Sequence, residues 1–362
     1  MSKWFGEDVW SNPEVVLKSA SERADVVQGL IPERGVTWLY GPSMSFKSFI
    51  AMDLAVAVSA RSDWLGKRVE ESIVVYVGAE GGDALHVRRA AAEAGVVPGL
   101  LFVLQERPQL DTPRGVAHLN AIFLGLFGWG EMPEEGSFEA EVSAAYDREE
   151  VRDMIATYTS VVCIIDTYSQ TSSGDDKFNV AAYIKTLRDL IEMANREDWR
   201  LSFVVVDHAT KAGGSYIGSV AKLNDVDSQL EVAREGASLR ATIHHRKAKD
   251  GPECEPIPVE MVNHVFEYCD AYGDPLKTLV VRDGTRAAKL AEIADGKAGT
   301  LLALLPDDGR GAEEGLLRDK FLAHPTNSGL KADSAGKAWR RAKSELLDIG
   351  AIEEEGGVIR TV

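Results

Sequence analysis

The residues best placed to do chemistry are a lysine and a serine at the end of a short loop. Gly41-Pro42-Ser43-Met44-Ser45-Phe46-Lys47-Ser48 follows the apolar run 36–40 and opens a helical pattern. A tight loop in that setting aims successive backbone N–H groups at a β-phosphate. The helix N-terminus adds the positive end of its dipole. Lys47 then reaches the β and γ oxygens, and the Ser48 hydroxyl ligates Mg²⁺. ATP and Mg²⁺ are therefore the implied cofactors. One position departs from the usual GxxxxGK[ST] pattern: Phe46 stands where a second glycine is common. The sequence places Phe46 at the entry to the helix, where a side chain is tolerated.

Three further residues fit the same chemistry. Asp166 ends the apolar run 161–166, where a carboxylate orients the Mg²⁺ water shell. Glu80 lies two residues past the run 73–78 and is placed to activate an attacking water. His208 follows the run 202–207, at the C-terminal edge where open α/β sheets meet their ligands. From there it is expected to bond the γ-phosphate.

These residues need strands to carry them. The runs 36–40, 73–78, 101–104, 161–166 and 202–207 are short, apolar and rich in β-branched residues. Helical patterns at 47–60, 83–94 and 179–195 lie between them. Uniformly apolar strands alternating with helices predict an α/β fold with a doubly wound, mostly parallel sheet. Alternating segments at 229–234, 238–245 and 259–267 predict antiparallel edge strands. Residues 105–153 fit no βαβ unit. Nine acids and two arginines fall within 131–153, so this insertion reads as either a surface excursion or a mobile loop. Residues 1–30 read as a short helical lead-in, and residues 31–285 as the main domain. From 297 to 362 three helices and a small hairpin make a second module. It resembles a winged helix, a pattern that also occurs in plain protein-docking modules.

Composition limits the partners. The 362 residues are 45% hydrophobic and 27% charged, an ordinary globular balance. Forty Lys+Arg against 57 Asp+Glu give −17, which excludes a general coat for polyanions. Residues 297–362 hold 10 basic and 11 acidic residues, leaving −16 to the rest. Any nucleic-acid surface on the main domain must then be local. Cys163, Cys254 and Cys269 form no CxxC pair and no zinc spacing. No run is long enough to span a bilayer and the start lacks an apolar leader, so no membrane partner and a cytoplasmic location are expected.

Taken together, several segments resemble the RecA-type ATPases, closest to the RepA-like hexameric replicative helicases of plasmids and bacteriophages. They are the loop 41–48 with its flanks, Trp64-Leu65-Gly66-Lys67, the run ending at Glu80, Ile165-Asp166-Thr167, Asp207-His208-Ala209-Thr210-Lys211 and Gly218 to Val232. The resemblance spans about residues 30–268. It implies that Glu80 is the catalytic base and His208 the γ-phosphate sensor. It also implies that the loop 210–223 enters a ring channel and touches single-stranded DNA. Lys211, Tyr216 and Lys222 would supply phosphate neutralisation and a stacking ring there. Lys247-Ala248-Lys249-Asp250-Gly251-Pro252 resembles a segment that reaches the nucleotide of a neighbouring subunit. Lys249 stands at the finger position and Arg246 is the alternative.

On the third helix of the second module, Lys337, Arg340, Arg341 and Lys343 gather, with Trp339, Leu346 and Leu347 as its expected buried face. A groove-entering helix carries such a cluster, and so does a solvated helix face. The resulting expectation is an ATP-hydrolysing hexameric ring, a homo-oligomer that moves on single-stranded DNA as a helicase. Two alternatives stand beside it: a recombination or repair mediator that remodels protein on DNA, and a DNA-binding switch with little turnover.

Overall fold

The apolar runs pair with one another in parallel, as their β-branched content requires. In the computed structural model, the described residues are 25–361, apart from 81, 98, 148, 175, 209–224, 286–295, 307–310 and 350. The strands up to residue 283 are β1 (Asp25–Val27), β2 (Ile31–Pro32), β3 (Val36–Gly41), β4 (Ile73–Gly78), β5 (Leu101–Leu104), β6 (Ser160–Asp166), β7 (Arg200–His208), β8 (Ser228–Arg234), β9 (Arg240–Ala248), β10 (Ile257–Cys269) and β11 (Pro275–Asp283). The helices are α1 (Lys47–Ser59), α2 (Asp83–Ala92), α3 (Pro113–Phe127), α4 (Phe138–Tyr146), α5 (Glu149–Ile155) and α6 (Asp176–Arg196).

Nine strands form one sheet in the order β11-β10-β9-β8-β3-β7-β6-β4-β5. The six from β8 to β5 are parallel, while β9 runs antiparallel to both β8 and β10. Register decides where the chemistry meets. Gly78 pairs with Asp166, Asp166 with Val206, and Gly41 with His208. The four strand ends therefore share one edge.

Period-two alternation splits the strand residues between two cores. Leu39, Val74, Tyr76, Ile164 and Val206 pack with Ile50 and Leu54 of α1. Trp38, Val75, Cys163, Ile165 and Val205 pack on the opposite face with α3 and α6. Both faces are covered, which is why the strands carry almost no polar residues.

Residues 105–130 are not part of a surface excursion or mobile loop, whereas the acidic stretch that follows, 131–147, lies largely at the surface. Thr112 caps α3 by accepting from the Gly115 N–H at 3.2 Å, and Pro113 fills its first turn. Leu119, Ile122, Phe123 and Leu126 repeat at helical spacing and are buried in the second core with Trp129. Apart from Glu106 and Asp111, the acids of this segment fall after Gly130. Two smaller corrections follow. Residues 25–32 form an antiparallel strand pair rather than part of a helical lead-in. Strand β11 was not expected.

The chain divides into two units, one ending at Arg282 and the other starting at Asp283. The second contains α7 (Lys297–Ala303), β12 (Ala312–Glu313), α8 (Glu314–Ala323), α9 (Ala332–Asp348), β13 (Ile352–Glu355) and β14 (Val358–Thr361). Its sheet has the order β12-β14-β13. Leu301, Leu317, Phe321, Trp339, Leu346 and Ile359 make its separate core. Among the described residues, no helix is long and apolar enough to cross a membrane.

Candidate functional site

The loop 41–46 bends sharply between β3 and α1. Gly41 is required by crowding: a Cβ there would lie 2.4 Å from the Val232 carbonyl oxygen. Phe46 does not enter the helix conformation, contrary to expectation. It sits at the N-cap with φ 73° and ψ 10°, in the left-handed region that costs a non-glycine residue about 1–2 kcal/mol. Its carbonyl accepts from the N–H groups of Phe49 and Ile50, both at 3.0 Å, and so starts the helix. No side chain caps this end, which leaves it open to an anion.

Lys47 is buried and donates from Nζ to the carbonyls of Gly41 at 3.0 Å and Pro42 at 2.7 Å. Burial pushes its ammonium down to about 8, against the pull of Asp166, Asp207 and Glu80. Ser48 Oγ donates to Asp166 Oδ1 at 3.1 Å, and Tyr76 Oη donates to Asp166 Oδ2 at 2.7 Å. Burial raises the Asp166 carboxyl, while the bonds from Tyr76 and Ser48 and the nearby Arg88 oppose the rise. Thr167 Oγ1 donates to Glu80 Oε1 at 3.3 Å. The buried Asp207 accepts from Trp38 Nε1 at 3.1 Å and from the His208 N–H at 2.8 Å.

Lys47, Ser48, Asp166, Glu80 and His208 are thus gathered on one edge by strand register. Ser45, Phe46, Lys47, Ser48 and His208 line a cleft of about 300 Å³ together with Arg88 and Arg234. Sequence reasoning missed those two arginines. Arg88 lies on the helix just after Glu80, with its guanidinium 4.8 Å from the Phe49 ring centroid. Arg234 ends the strand beside β3. No spacing in the sequence signals them: Arg88 lies ten residues past the end of β4 and Arg234 is itself the last residue of β8.

A nucleotide fits this donor set. Ser45 Oγ and His208 Nδ1 are buried and, among the described residues, lack a hydrogen-bond partner. Phosphate oxygens would satisfy both. The Ser48 hydroxyl and Asp166 carboxylate stand side by side, the protein oxygens that Mg²⁺ uses when phosphates supply the remainder. No group of three His, Cys, Asp or Glu among the described residues is placed to hold a metal ion.

A family model described as AAA domain matches residues 9–214, more than half of the chain. The chain belongs to the AAA-domain family. With its phosphate loop and parallel-dominant sheet, this AAA domain is a RecA-like P-loop ATPase, in a family that uses ATP and Mg²⁺. No curated protein matches the sequence. One solved structure similar to it is a KaiC-like protein from the hyperthermophilic archaeon Pyrococcus horikoshii OT3. The identity is 15%, over 71% of this chain and 94% of that one, with a TM-score of 0.38.

Lys211, Tyr216 and Lys222 fall outside the described residues. Lys247 pairs with Gln229 and Ala248 with Ser228, which neighbours Thr37 at the start of β3. Lys247 and Lys249 therefore sit at the sheet edge opposite their own phosphate loop. Lys249 Nζ lies 3.2 Å from Asp227, which also takes Arg188 at 2.6 Å. Arg246 pairs with Glu231 at 2.7 Å.

In the second unit, Lys337, Arg340 and Arg341 are exposed on α9. Lys343 is held between Glu314 at 2.6 Å and Glu354 at 2.8 Å. Trp339 and Leu346 are buried, but Leu347 faces solvent, because the apolar stripe turns away after Leu346.

Proposed function

We propose that the AAA domain hydrolyses ATP as a homo-oligomeric, hexameric ring that moves on single-stranded DNA as a replicative helicase. The observation that carries the hydrolytic part is the convergence of Lys47, Ser48, Asp166, Glu80 and His208 on one sheet edge. In this reading Lys47 exchanges the carbonyls of Gly41 and Pro42 for β and γ oxygens. Ser48 and Asp166 would hold Mg²⁺, which when bound neutralises charge on those oxygens. Glu80 accepts a proton from the attacking water. His208 bonds the γ-phosphate and loses that bond on its release.

The ring is supported by the far position of the late cations. Lys247 and Lys249 lie at the wrong end of the sheet to serve their own loop, so a phosphate reached by them belongs to a second copy. The finger is Lys249, or Arg246 on the same strand. Lysine can neutralise phosphate charge but lacks the planar fork of arginine. Lys211, Tyr216 and Lys222 are assigned to single-stranded DNA by resemblance alone. The second unit is read as a winged helix, on its three helices and its β12-β14-β13 sheet.

Strand displacement on a forked DNA, measured beside ATP hydrolysis, tests the reading. Unwinding that requires hydrolysis is the expected outcome. Hydrolysis without unwinding would favour a mediator that remodels protein on DNA. Nucleotide-dependent DNA binding without turnover would favour a switch.

A further inference from the structure

Arg234 makes contacts that the nucleotide reading does not use. Its guanidinium lies 4.4 Å from the centroid of the Phe46 ring. Nη1 donates to the Met44 carbonyl at 3.1 Å. Nε and Nη2 donate to the carbonyls of Ser238 at 2.9 Å and Ala237 at 3.2 Å. Met44 and Phe46 are the two loop residues other than glycine with positive φ, 65° and 73°. One side chain therefore ties the β8–β9 turn to both left-handed positions of the phosphate loop.

We infer that Arg234 is a positioning residue that holds the loop in its phosphate-ready form. Where glycine would adopt this backbone freely, phenylalanine must be kept there. The Cβ that makes Phe46 strained carries the ring by which it is held, packed against the core and covered by the guanidinium. Arginine is required because its plane covers the ring while its edge donates to carbonyls; a lysine ammonium cannot do both. If the loop is released, Met44 and Phe46 relax toward negative φ and their N–H groups turn away from the phosphate position. Arg234 thus acts on nucleotide through the loop.

This inference rests on the nucleotide reading, and calorimetric titration of the full chain with Mg·ADP separates the two. Lys47→Ala tests the underlying site; unchanged ADP affinity there would remove the nucleotide reading itself. Arg234→Ala and Arg234→Lys should each weaken ADP binding roughly tenfold, by loss of the stack and the Met44 bond. In a Phe46→Gly background, where only Met44 still needs to be held, the same substitutions should cost less than about threefold. An equal loss in both backgrounds would mean that Arg234 touches the nucleotide directly. Full affinity in Arg234→Lys would reduce its role to charge. Either result overturns the inference, as does the absence of any loss. Arg234→Lys keeps the stem and the charge, and it carries the test if the alanine variant does not fold.

Discussion

The two ends of the large sheet both carry charged side chains and handle them differently. At the edge formed by Gly41, Gly78, Asp166 and His208, the polar groups are incompletely satisfied. Lys47 is folded back on its own loop, its ammonium is depressed by burial, and Ser45 Oγ and His208 Nδ1 have no partner among the described residues. At the other edge, Asp227 accepts from the Val36 N–H at 2.8 Å and pairs with both Arg188 and Lys249. A cavity of about 290 Å³ opens beside it, lined by Asp25, His245, Lys249 and Glu253 among others. A predominantly acidic rim of this kind does not suit a phosphate of its own chain. At the phosphate-loop edge the partnerless groups lie at an open cleft, whereas at the other edge the charges are closed into ion pairs, although Thr37 Oγ1 there also lacks a partner among the described residues.

Substitution at each end should therefore break a different property. Glu80 is exposed and contributes little to packing. Glu80→Gln should lower the ATP turnover number by about 10²–10⁴-fold while unfolding stability stays within about 0.5 kcal/mol. Steady-state kinetics and urea unfolding on the same preparation check both halves. Turnover at the parent rate would remove Glu80 from the base position.

Asp227→Ala should do the reverse. It removes the partner of Arg188 and Lys249, which stay accessible to water, and leaves the buried Val36 N–H without its acceptor, a loss that costs about 1–3 kcal/mol. The urea midpoint should drop accordingly. ADP affinity of the remaining folded protein should stay near the parent value, since the phosphate loop lies at the opposite edge. A loss of ADP affinity larger than the loss of stability would erase the contrast between the two ends.

Legibility followed the same divide. The phosphate-loop edge was readable because its strands are short apolar runs and each candidate residue ends one or follows it within two positions, as Asp166, His208 and Glu80 do. Register in the parallel sheet then aligned those ends. What escaped was set by tertiary contact. Arg88 and Arg234 are ordinary surface-type residues in sequence, and only folding turns them into the cleft. Phe46 was read as helical because its neighbours are; the left-handed backbone is imposed by the turn from β3 and held by the ring. The helix α3 was hidden because the acids that follow it dominated the composition of the segment, although Leu119, Ile122, Phe123 and Leu126 carry the period. The ion network at Asp227 joins residues from α6, β8 and the end of β9, a pairing that no spacing in the chain announces.

The pH response of Lys47 gives a third, smaller test. Its ammonium is lowered from the ordinary 10.5 to about 8, so between those values the unfolded chain holds a proton that the folded chain has lost. Its contribution to stability therefore rises with pH across that window, by up to about 1.4 kcal/mol per pH unit. Nucleotide affinity moves the other way, because phosphate prefers the ammonium. ADP binding should weaken as pH rises through about 8, with proton uptake on binding at pH above 8. Calorimetry in two buffers of different ionisation enthalpy reads that proton. No uptake would mean that Lys47 is already fully charged in the free protein, and the burial argument for this edge would fail.

The smallest effect concerns the second unit, which is electrically unlike either sheet edge. Residues 297–362 are nearly neutral, whereas the remainder carries −16, so long-range attraction to DNA is unavailable and capture must be local. On α9, Lys343 is spent on Glu314 and Glu354 and can be set aside. Lys337 and Arg341 line a groove of about 420 Å³ with Lys297, and Arg340 is exposed on the same helix. If this surface meets duplex phosphates, each contact contributes about 0.9 to the slope of log affinity against log salt. Replacing Arg340 and Arg341 by alanine should then flatten the slope by up to about 2 units. The ATPase rate without DNA should be unchanged, because the nucleotide residues all lie in the first unit. Binding isotherms on duplex from low to moderate salt decide the matter. A slope equal to the parent's would assign the α9 surface to a protein partner, and DNA contact would rest on Lys211, Tyr216 and Lys222.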